Sequence, residues 1–300
     1  MTRNFIRPPH RESCPSDSSN DLSHSTAAPI GDQPVPGQTA SAAFSRVDLL
    51  TAIGVVGLLI LLLTPALART RVMDHAFQCR NNLRQLLHGW RMYAEDNSGK
   101  LPNSFDWVYG GESYSDGSTV NTNINFLVNG LLGPYVKNPA VYKCPADMSW
   151  GIFGTTKFPR VRTLSMSQSF SGPSDGHLED GDSPPNYWRH YQKDADMVRP
   201  GPANLWVFAD ENPDSVNDGS LAVAMTRNNP SLNKWQDGPT PLHDGSCGFA
   251  FADGHVEIHK WLDPRTLAMN VTYSTTFPHG VSQPNNNDIQ WVKDRTTAPK

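Results

Sequence analysis

The chain has 300 residues, 37% of them hydrophobic, and its 25 basic and 29 acidic side chains give a formal net charge of −4. Because both signs are mixed, and lysine and arginine form no dense run among aromatic residues, the sequence gives no basic footprint for nucleic acid. The four cysteines contain no CxxC pair, so we do not expect a zinc knuckle.

Residues 1–43 are rich in serine, proline and aspartate and contain few large apolar side chains. A segment of this composition cannot bury enough apolar surface to offset the entropy lost on ordering. We therefore predict that residues 1–43 form a disordered leader.

Residues 44–69 form the most apolar segment of the chain. No charged residue lies between Asp48 and Arg69, and those 20 residues would span about 30 Å as a helix, the thickness of a bilayer core. A buried core helix and a cleaved secretory signal are the alternatives. A soluble helix of this length usually keeps a polar face, and the apolar run begins far from the N-terminus. The segment therefore predicts a transmembrane helix.

An amphipathic stretch follows directly over residues 70–99. Its apolar residues recur at steps of three and four, the spacing of one helical face. They are Val72, Ala76, Cys79, Leu83, Leu86 or Leu87, Trp90 and Tyr93. Asn97, Ser98 and Gly99 provide a C-terminal stop. We expect the helix to continue to about Asn97, with a kink or a local loosening at Pro65.

Residues 100–284 are interrupted by glycine, proline, asparagine and aspartate. Short strand candidates lie at 163–170, 204–210, 221–226, 248–252 and 255–261, with long loops at 171–200 and 227–242. This pattern predicts an α+β fold, in which the long helix packs on a small antiparallel sheet with long loop insertions. We expect residues 285–300 to form a loose tail.

Three histidines, three carboxylates and a cysteine lie within residues 242–261. One hypothesis is a metal site, because imidazole nitrogens and carboxylate oxygens both bind transition metals. Its ligands would be His243, His255 and His259, joined by Asp253 or Asp210.

The other hypothesis for this stretch is a structural hairpin. Asp253-Gly254 between two apolar runs is a strong turn signal. His255, Glu257 and His259 then alternate with core positions and form a solvated face. No Ser–His–Asp order, HExxH helix or glycine-rich phosphate loop is present. We favour the hairpin and expect no catalytic residues, so we do not predict an enzyme.

Several motifs follow one another in a fixed order along residues 44–262. They are the apolar segment beginning "FSRVD", "QCRNNLRQLLHGWRMYAEDNSGKLP" at 78–102, "YKCPAD" at 142–147, "TLSMS" at 163–167, "VFADE" at 207–211, and His243 followed after nine residues by Asp253-Gly254. In this order they resemble a type IV pilin-like protein, a class that includes type IV pilins and the pseudopilins of type II secretion.

The resemblance implies that a prepilin peptidase cuts between Ala43 and Phe44 and that the new N-terminus is methylated. Asp48 is then the fifth mature residue and Pro65 the twenty-second. In the family the acidic residue at the fifth position pairs with the N-terminal amine of a neighbouring subunit, and a proline is common at the twenty-second. The chain has Ala43 where the family usually has glycine, and Asp48 where it usually has glutamate.

The resemblance also implies a location and partners. We expect a single-pass protein of the cytoplasmic (inner) membrane. Its globular head, residues 100–284, would lie in the periplasm or on the cell surface. Its partners would be the lipid bilayer, prepilin peptidase and other pilin or pseudopilin subunits.

Cys79 and Cys144 are candidates for a disulfide, because the implied location of the head is one where disulfides persist. A bridge would tie the long helix to the "KCPAD" loop across roughly 65 residues, for which the chain-entropy model gives about 4 kcal/mol. Two reduced, buried cysteines are the alternative.

The loop at 208–219 carries several carboxylates, and oxygen-rich loops of this kind suit calcium. Some related pseudopilins hold calcium in the head, although the spacing here is not that of an EF-hand. Solvated loop carboxylates are the alternative. The candidate ligands are Asp210, Glu211, Asp214 and Asp218.

These features predict a membrane-anchored structural subunit of a type IV pilus or a type II secretion pseudopilus, assembling through its apolar helix. One alternative is an anchored metal-dependent enzyme with its site at 208–218 and 243–259. Another is a surface protein that binds polysaccharide or another ligand through exposed aromatic residues such as Trp150, Trp188 and Trp235.

Overall fold

The computed structural model describes residues 45–111, 122–153, 155–173, 178, 186–274 and 276–300, and for residues 64–70 it describes the backbone alone. The predicted leader, with Ala43 and Phe44 at its end, lies outside the described residues. The chain divides into two compact units, Met1–Gly54 and Val55–Lys300.

In the first unit, the described residues are the start of helix α1, which runs over Arg46–Asp96. A capping box fixes this start. The backbone N–H and the hydroxyl of Ser45 donate to Oδ2 of Asp48 at 2.9 and 2.7 Å, and the Asp48 N–H donates to Oγ of Ser45 at 3.2 Å. Asp48 therefore has a local role at the helix N-terminus.

The segment Arg46–Leu63 of α1 has a mean hydropathy of 2.2, and none of it is buried. By length and composition it can cross a membrane, and it is the one such helix in the part of the chain that the structure describes. A single-pass membrane protein is compatible with this helix. The helix continues through Pro65.

Further along, in the second unit, α1 acquires one buried face. Its buried residues are Cys79, Leu83, Leu86, Leu87, Trp90 and Ala94, which confirms the predicted stripe from Cys79 onward. Val72 remains 36% exposed, so the stripe begins later than its spacing suggested. The helix ends in a Schellman turn, with Ser98 at a left-handed φ of 57° and the Gly99 N–H bonded to the carbonyl of Ala94 at 2.8 Å.

The main sheet has five strands in the order β5-β3-β4-β7-β8. The strands are β3 Leu164–Ser167, β4 Trp206–Asp210, β5 Ser220–Leu221, β7 Ser246–Phe251 and β8 Val256–Lys260. β3, β4, β7 and β8 pair antiparallel, and β5 lies parallel to β3. The molecule therefore combines a small, largely antiparallel sheet with one long apolar N-terminal helix.

Smaller elements surround this sheet. β1 Trp150–Phe153 and β2 Thr156–Pro159 form a hairpin, and β6 Lys234–Trp235 pairs with β9 Val281–Ser282. The short helices are α2 Asn125–Val128, α3 Gly133–Val136, α4 Pro264–Leu267 and α5 Asn287–Lys293. The predicted strand at 221–226 is wrong beyond Leu221: the strand ends there, and residues 226–228 form a turn in which all three φ values are positive, at 45°, 47° and 55°.

Strand β7 separates two core clusters. Its small residues Gly248, Ala250 and Ala252 (the last just beyond the strand) lie on the side of α1, while Phe249 and Phe251 belong to a tryptophan-rich cluster on the other side. A Cβ atom on Gly248 would lie 2.6 Å from Cδ1 of Leu83, so the glycine permits the close approach of helix and sheet. The alternation of small and aromatic residues in "GFAFA" thus lets β7 contribute to a different core cluster on each of its two faces.

The hairpin between β7 and β8 has a three-residue loop, not a two-residue turn at Asp253-Gly254. Phe251 accepts a hydrogen bond from the Gly254 N–H and donates its own N–H to His255, both at 2.9 Å. Gly254 has a φ of 107°. This is the pattern of a three-residue hairpin loop that ends in a glycine with positive φ.

The expectation of a loose C-terminal tail is wrong. Helix α5 is capped by Asn286, whose side chain accepts the N–H groups of Asp288 and Ile289. Ile289 and Val292 are buried in the tryptophan-rich cluster. The run of apolar residues was too short to stand out as a helical stripe in the sequence, although the asparagine cap was a readable signal.

Candidate metal centre

Four side chains from distant parts of the chain meet beneath α1. Cys79 lies on α1, Cys144 follows the 3₁₀ turn Pro139–Tyr142, Asp210 ends β4, and His243 precedes β7. All four are buried, and their ligand atoms lie within 4.8 Å of one another. We call this set the Cys₂HisAsp cluster. It is the one group of its kind found within the described ranges.

The closest contacts run around Asp210 and His243. Nε2 of His243 lies 3.1 Å from Oδ2 of Asp210 and 3.3 Å from Sγ of Cys144. Sγ of Cys79 lies 3.6 Å from the same Oδ2 atom. Two sulfurs, one imidazole nitrogen and one carboxylate oxygen thus converge on a single point.

Local structure holds each member in place. Asp210 is fixed by its pairing with Leu164 of β3, and its carbonyl accepts the Thr240 N–H at 3.0 Å. The backbone N–H of Cys144 donates to Oγ1 of Thr163 at 2.9 Å. His243 is followed by Asp244 and Gly245, whose positive φ values of 55° and 69° turn the chain into β7.

Burial and the neighbouring charges set the protonation of the cluster. Burial alone lowers the pKa of His243, but the hydrogen bonds to Asp210 and Cys144 outweigh it and raise that pKa to about 10. Burial raises the pKa of the Cys144 thiol. For Cys79, the hydrogen bond with Cys144 lowers the thiol pKa, but burial and the charge of Asp210 outweigh it and raise the pKa to about 12. The raised pKa values favour the protonated imidazole of His243 and the neutral thiols of Cys79 and Cys144.

Two polar atoms of the cluster have no hydrogen-bond partner within the described chain: Oδ1 of Asp210 and Nδ1 of His243. A buried acceptor or donor without a partner costs on the order of 1–3 kcal/mol. The carboxylate of Asp210 is therefore incompletely compensated by the protein atoms around it.

The structure divides the three predicted histidine ligands. His243 joins Asp210 in the cluster, which brings together two members of the predicted set. His255 instead pairs with Asp253 at 2.6 Å, and its ring stacks on Phe251. His259 stacks on Trp291 with ring centroids 3.6 Å apart. The three-histidine site is wrong, and the idea of a fully solvated face is wrong as well, because α5 covers His259.

The motif of His243, Asp253 and Gly254 is split between two places. His243 lies before β7, in the Cys₂HisAsp cluster, whereas Asp253 and Gly254 form the loop after that strand. Asp253 accepts the His255 N–H at 3.1 Å. The nine residues between His243 and Asp253 therefore contain strand β7, with the Cys₂HisAsp cluster at one end and the turn at the other.

The four carboxylates predicted to bind calcium lie in different surroundings. Asp210 belongs to the cluster, and Glu211 is buried next to it in sequence. Asp214 accepts hydrogen bonds from the backbone of Thr272 and Tyr273 at 2.6 and 3.0 Å. Asp218 accepts the Ser220 N–H at 2.7 Å. Calcium binding stays a prediction that these contacts do not test.

Cys79 and Cys144 are brought together, as free thiols. The disulfide between them stays a prediction. Cys247 is a third buried, free thiol, and it donates to the carbonyl of Asp210 at 3.1 Å. In the sequence, Cys79 and Cys144 were candidates for a disulfide, and His243 and Asp210 were candidates for a metal site that we did not favour; the two pairs were not joined.

No protein-family model, no curated protein and no solved structure in the three comparisons matches this chain.

Proposed function

We propose that the protein is a membrane-anchored, pilin-like structural subunit of a type IV pilus or a type II secretion pseudopilus. The observation that supports this proposal most is helix α1. A single helix of 51 residues carries an exposed apolar segment, Arg46–Leu63, and later a buried face that begins at Cys79. An apolar helix that continues into the core of a head suits a subunit that is anchored and assembled through its N-terminal half.

The proposed location is the cytoplasmic membrane, with the head in the periplasm or on the cell surface. Its partners would be prepilin peptidase and other pilin or pseudopilin subunits. We do not propose glycan binding through Trp150, Trp188 and Trp235, because Trp188 and Trp235 are only 1% and 2% exposed, which leaves Trp150 as the partly exposed one of the three. An anchored metal enzyme would require a ligand position open to substrate, whereas all four residues of the cluster are buried.

The first test is mass spectrometry of the N-terminus of the native protein. We expect a mature chain that begins at Phe44, with or without a methyl group. An intact leader would contradict pilin-type processing and leave a simple membrane anchor.

The second test addresses assembly. Asp48→Ala should block the formation of filaments or of cross-linked subunits while leaving membrane insertion intact. It would leave the N-terminal amine of the neighbouring subunit without its partner, and an unpaired charge near hydrocarbon is costly. Ser45→Ala is the matched control, since it removes the capping hydroxyl but keeps the carboxylate. If the two variants assemble equally poorly, Asp48 acts through the helix cap and not through a neighbouring subunit.

A further inference from the structure

We propose that Cys79, Cys144, Asp210 and His243 bind one Zn²⁺ ion in a closed, structural site that fastens helix α1 to the sheet. The proposal concerns the head alone and does not rest on cleavage of the leader or on assembly. Its first support is geometric, because the spacing of the four ligand atoms can be compared with that of a tetrahedral ion.

Zinc bonds of about 2.3 Å to sulfur, 2.05 Å to nitrogen and 2.1 Å to oxygen place tetrahedral ligands about 3.6 Å (sulfur–nitrogen), 3.6 Å (sulfur–oxygen) and 3.4 Å (nitrogen–oxygen) apart. The corresponding distances in the cluster are 3.3 Å for Cys144–His243, 3.6 Å for Cys79–Asp210 and 3.1 Å for His243–Asp210. In each of these three pairs the observed distance lies within about 0.3 Å of the tetrahedral value, and the remaining pairs of ligand atoms lie within 4.8 Å of one another.

The donor set selects the class of metal. Two thiolates with one imidazole and one carboxylate are ligands that zinc accepts in tetrahedral sites, whereas calcium and magnesium require oxygen donors. Four protein ligands fill the coordination sphere and leave no position for a substrate. The site is therefore structural and not catalytic.

The buried carboxylate of Asp210 also favours a bound cation. The cluster buries a carboxylate whose Oδ1 atom has no partner among the described residues. A divalent cation at the centre would offset two of the three negative charges that this carboxylate and the two thiolates carry together, and its bond to Asp210 would compensate the buried carboxylate. On binding, Cys79 and Cys144 each release the thiol proton to solvent and bind as thiolates, His243 binds as neutral imidazole, and no group is oxidised or reduced.

A cleft borders the cluster. It has a volume of about 620 Å³, and Cys144, Lys143 and Asp147 are among its lining residues. Nζ of Lys143 lies 3.2 Å from Oδ2 of Asp147, so the cleft carries a charge pair near Cys144. Cys144 is thus the member of the cluster that borders the cleft.

The decisive measurement is the zinc content of the full chain, purified from membranes in detergent and equilibrated with zinc. We expect one zinc per chain in the wild type and its loss in Cys144→Ser. Cys247→Ser is the matched control, because Cys247 is equally buried and contacts Asp210 but belongs to the core cluster on the other face of β7. It should keep the zinc. A wild type without zinc, or equal zinc in both variants, would overturn the proposal.

X-ray absorption of the zinc-loaded wild type provides a test that needs no variant and therefore no folded mutant. We expect two sulfur neighbours at about 2.3 Å and two nitrogen or oxygen neighbours at about 2.0–2.2 Å. A shell without sulfur would place the ion elsewhere and refute the site.

Peptide mapping without reductant separates zinc from the competing disulfide. The proposal requires Cys79 and Cys144 to be reduced in the native protein. A peptide in which the two are joined, with the loss of two hydrogens, would show that an oxidant has consumed both thiolate ligands and would overturn the site.

Discussion

Nε2 of His243 lies 3.1 Å from Oδ2 of Asp210, and both side chains are fully shielded from solvent. This contact joins the end of β4 to the segment that enters β7, two strands that are neighbours in the sheet. Because it is buried, removing one partner leaves the other without compensation. The pair is therefore a point at which the stability of the head can be tested.

In the full chain freed of zinc with a chelator, Asp210→Asn should cost about 3–5 kcal/mol of stability, the usual cost of removing one partner of a buried ion pair. Asp253→Asn is the matched control, since its pair with His255 is 36–43% exposed and pairs of that kind contribute about 0–1 kcal/mol. Guanidinium unfolding in detergent, followed by tryptophan fluorescence, measures both. Equal losses in the two variants would contradict a special role for the Asp210–His243 pair.

Gly248→Ala tests the contact between α1 and β7. The new Cβ atom would lie 2.6 Å from Cδ1 of the buried Leu83, so we expect a loss of about 1–3 kcal/mol from overpacking. Gly201→Ala is the control, because nothing lies within 4 Å of its added Cβ atom, and it should change the free energy of unfolding by less than about 0.5 kcal/mol. Adding Leu83→Ala to Gly248→Ala should cost less than the sum of the two single changes. Additive losses would place the strain elsewhere.

The parts of the fold that follow from local rules were predictable. The spacing of Cys79, Leu83 and Trp90 identified the buried face of α1, and the Asn-Ser-Gly stop at 97–99 matches its end. Strands β3, β4 and β8 lie within the predicted ranges, whereas β7 begins at Ser246, two residues before the predicted start at 248. In each case the signal is contained in a window of a few residues, because periodicity and capping act over one or two turns.

The Cys₂HisAsp cluster was not predictable as a unit. Its members are up to 164 residues apart, between Cys79 and His243, and they come from a helix, a strand and two loops. A search for closely spaced cysteines cannot detect such a site. The four side chains meet only because β4 pairs with β7 and α1 packs on the sheet. The stacking of Trp291 on His259 was not predictable for the same reason, because it depends on where helix α5 packs.

His279 gives the head a dependence on pH. Its Nδ1 atom lies 2.9 Å from Oδ1 of Asp237, and this hydrogen bond, which outweighs the effect of burial, raises the pKa of His279 above its ordinary value of 6.5. A raised histidine pKa adds stability that is complete below the unfolded pKa and is lost as the pH rises through the folded one. The stability difference between the wild type and His279→Gln should therefore be largest below about pH 6.5 and shrink above it. Since His279 is partly exposed, the difference should stay below about 1 kcal/mol. A difference that grows with pH would contradict the pairing.

The C-terminal helix α5 is a part of the core, and Ile289 is its most direct probe. Ile289 is 1% exposed within the tryptophan-rich cluster, so Ile289→Ala should cost about 2–5 kcal/mol by leaving a cavity. Asn287→Ala, at an exposed position two residues earlier on the same helix, should change the free energy of unfolding by less than about 0.5 kcal/mol. Denaturant unfolding of the full chain compares the two. If Ile289→Ala is as mild as Asn287→Ala, the C-terminal residues do not pack on the sheet. The stacking of Trp291 on His259 would then be wrong as well.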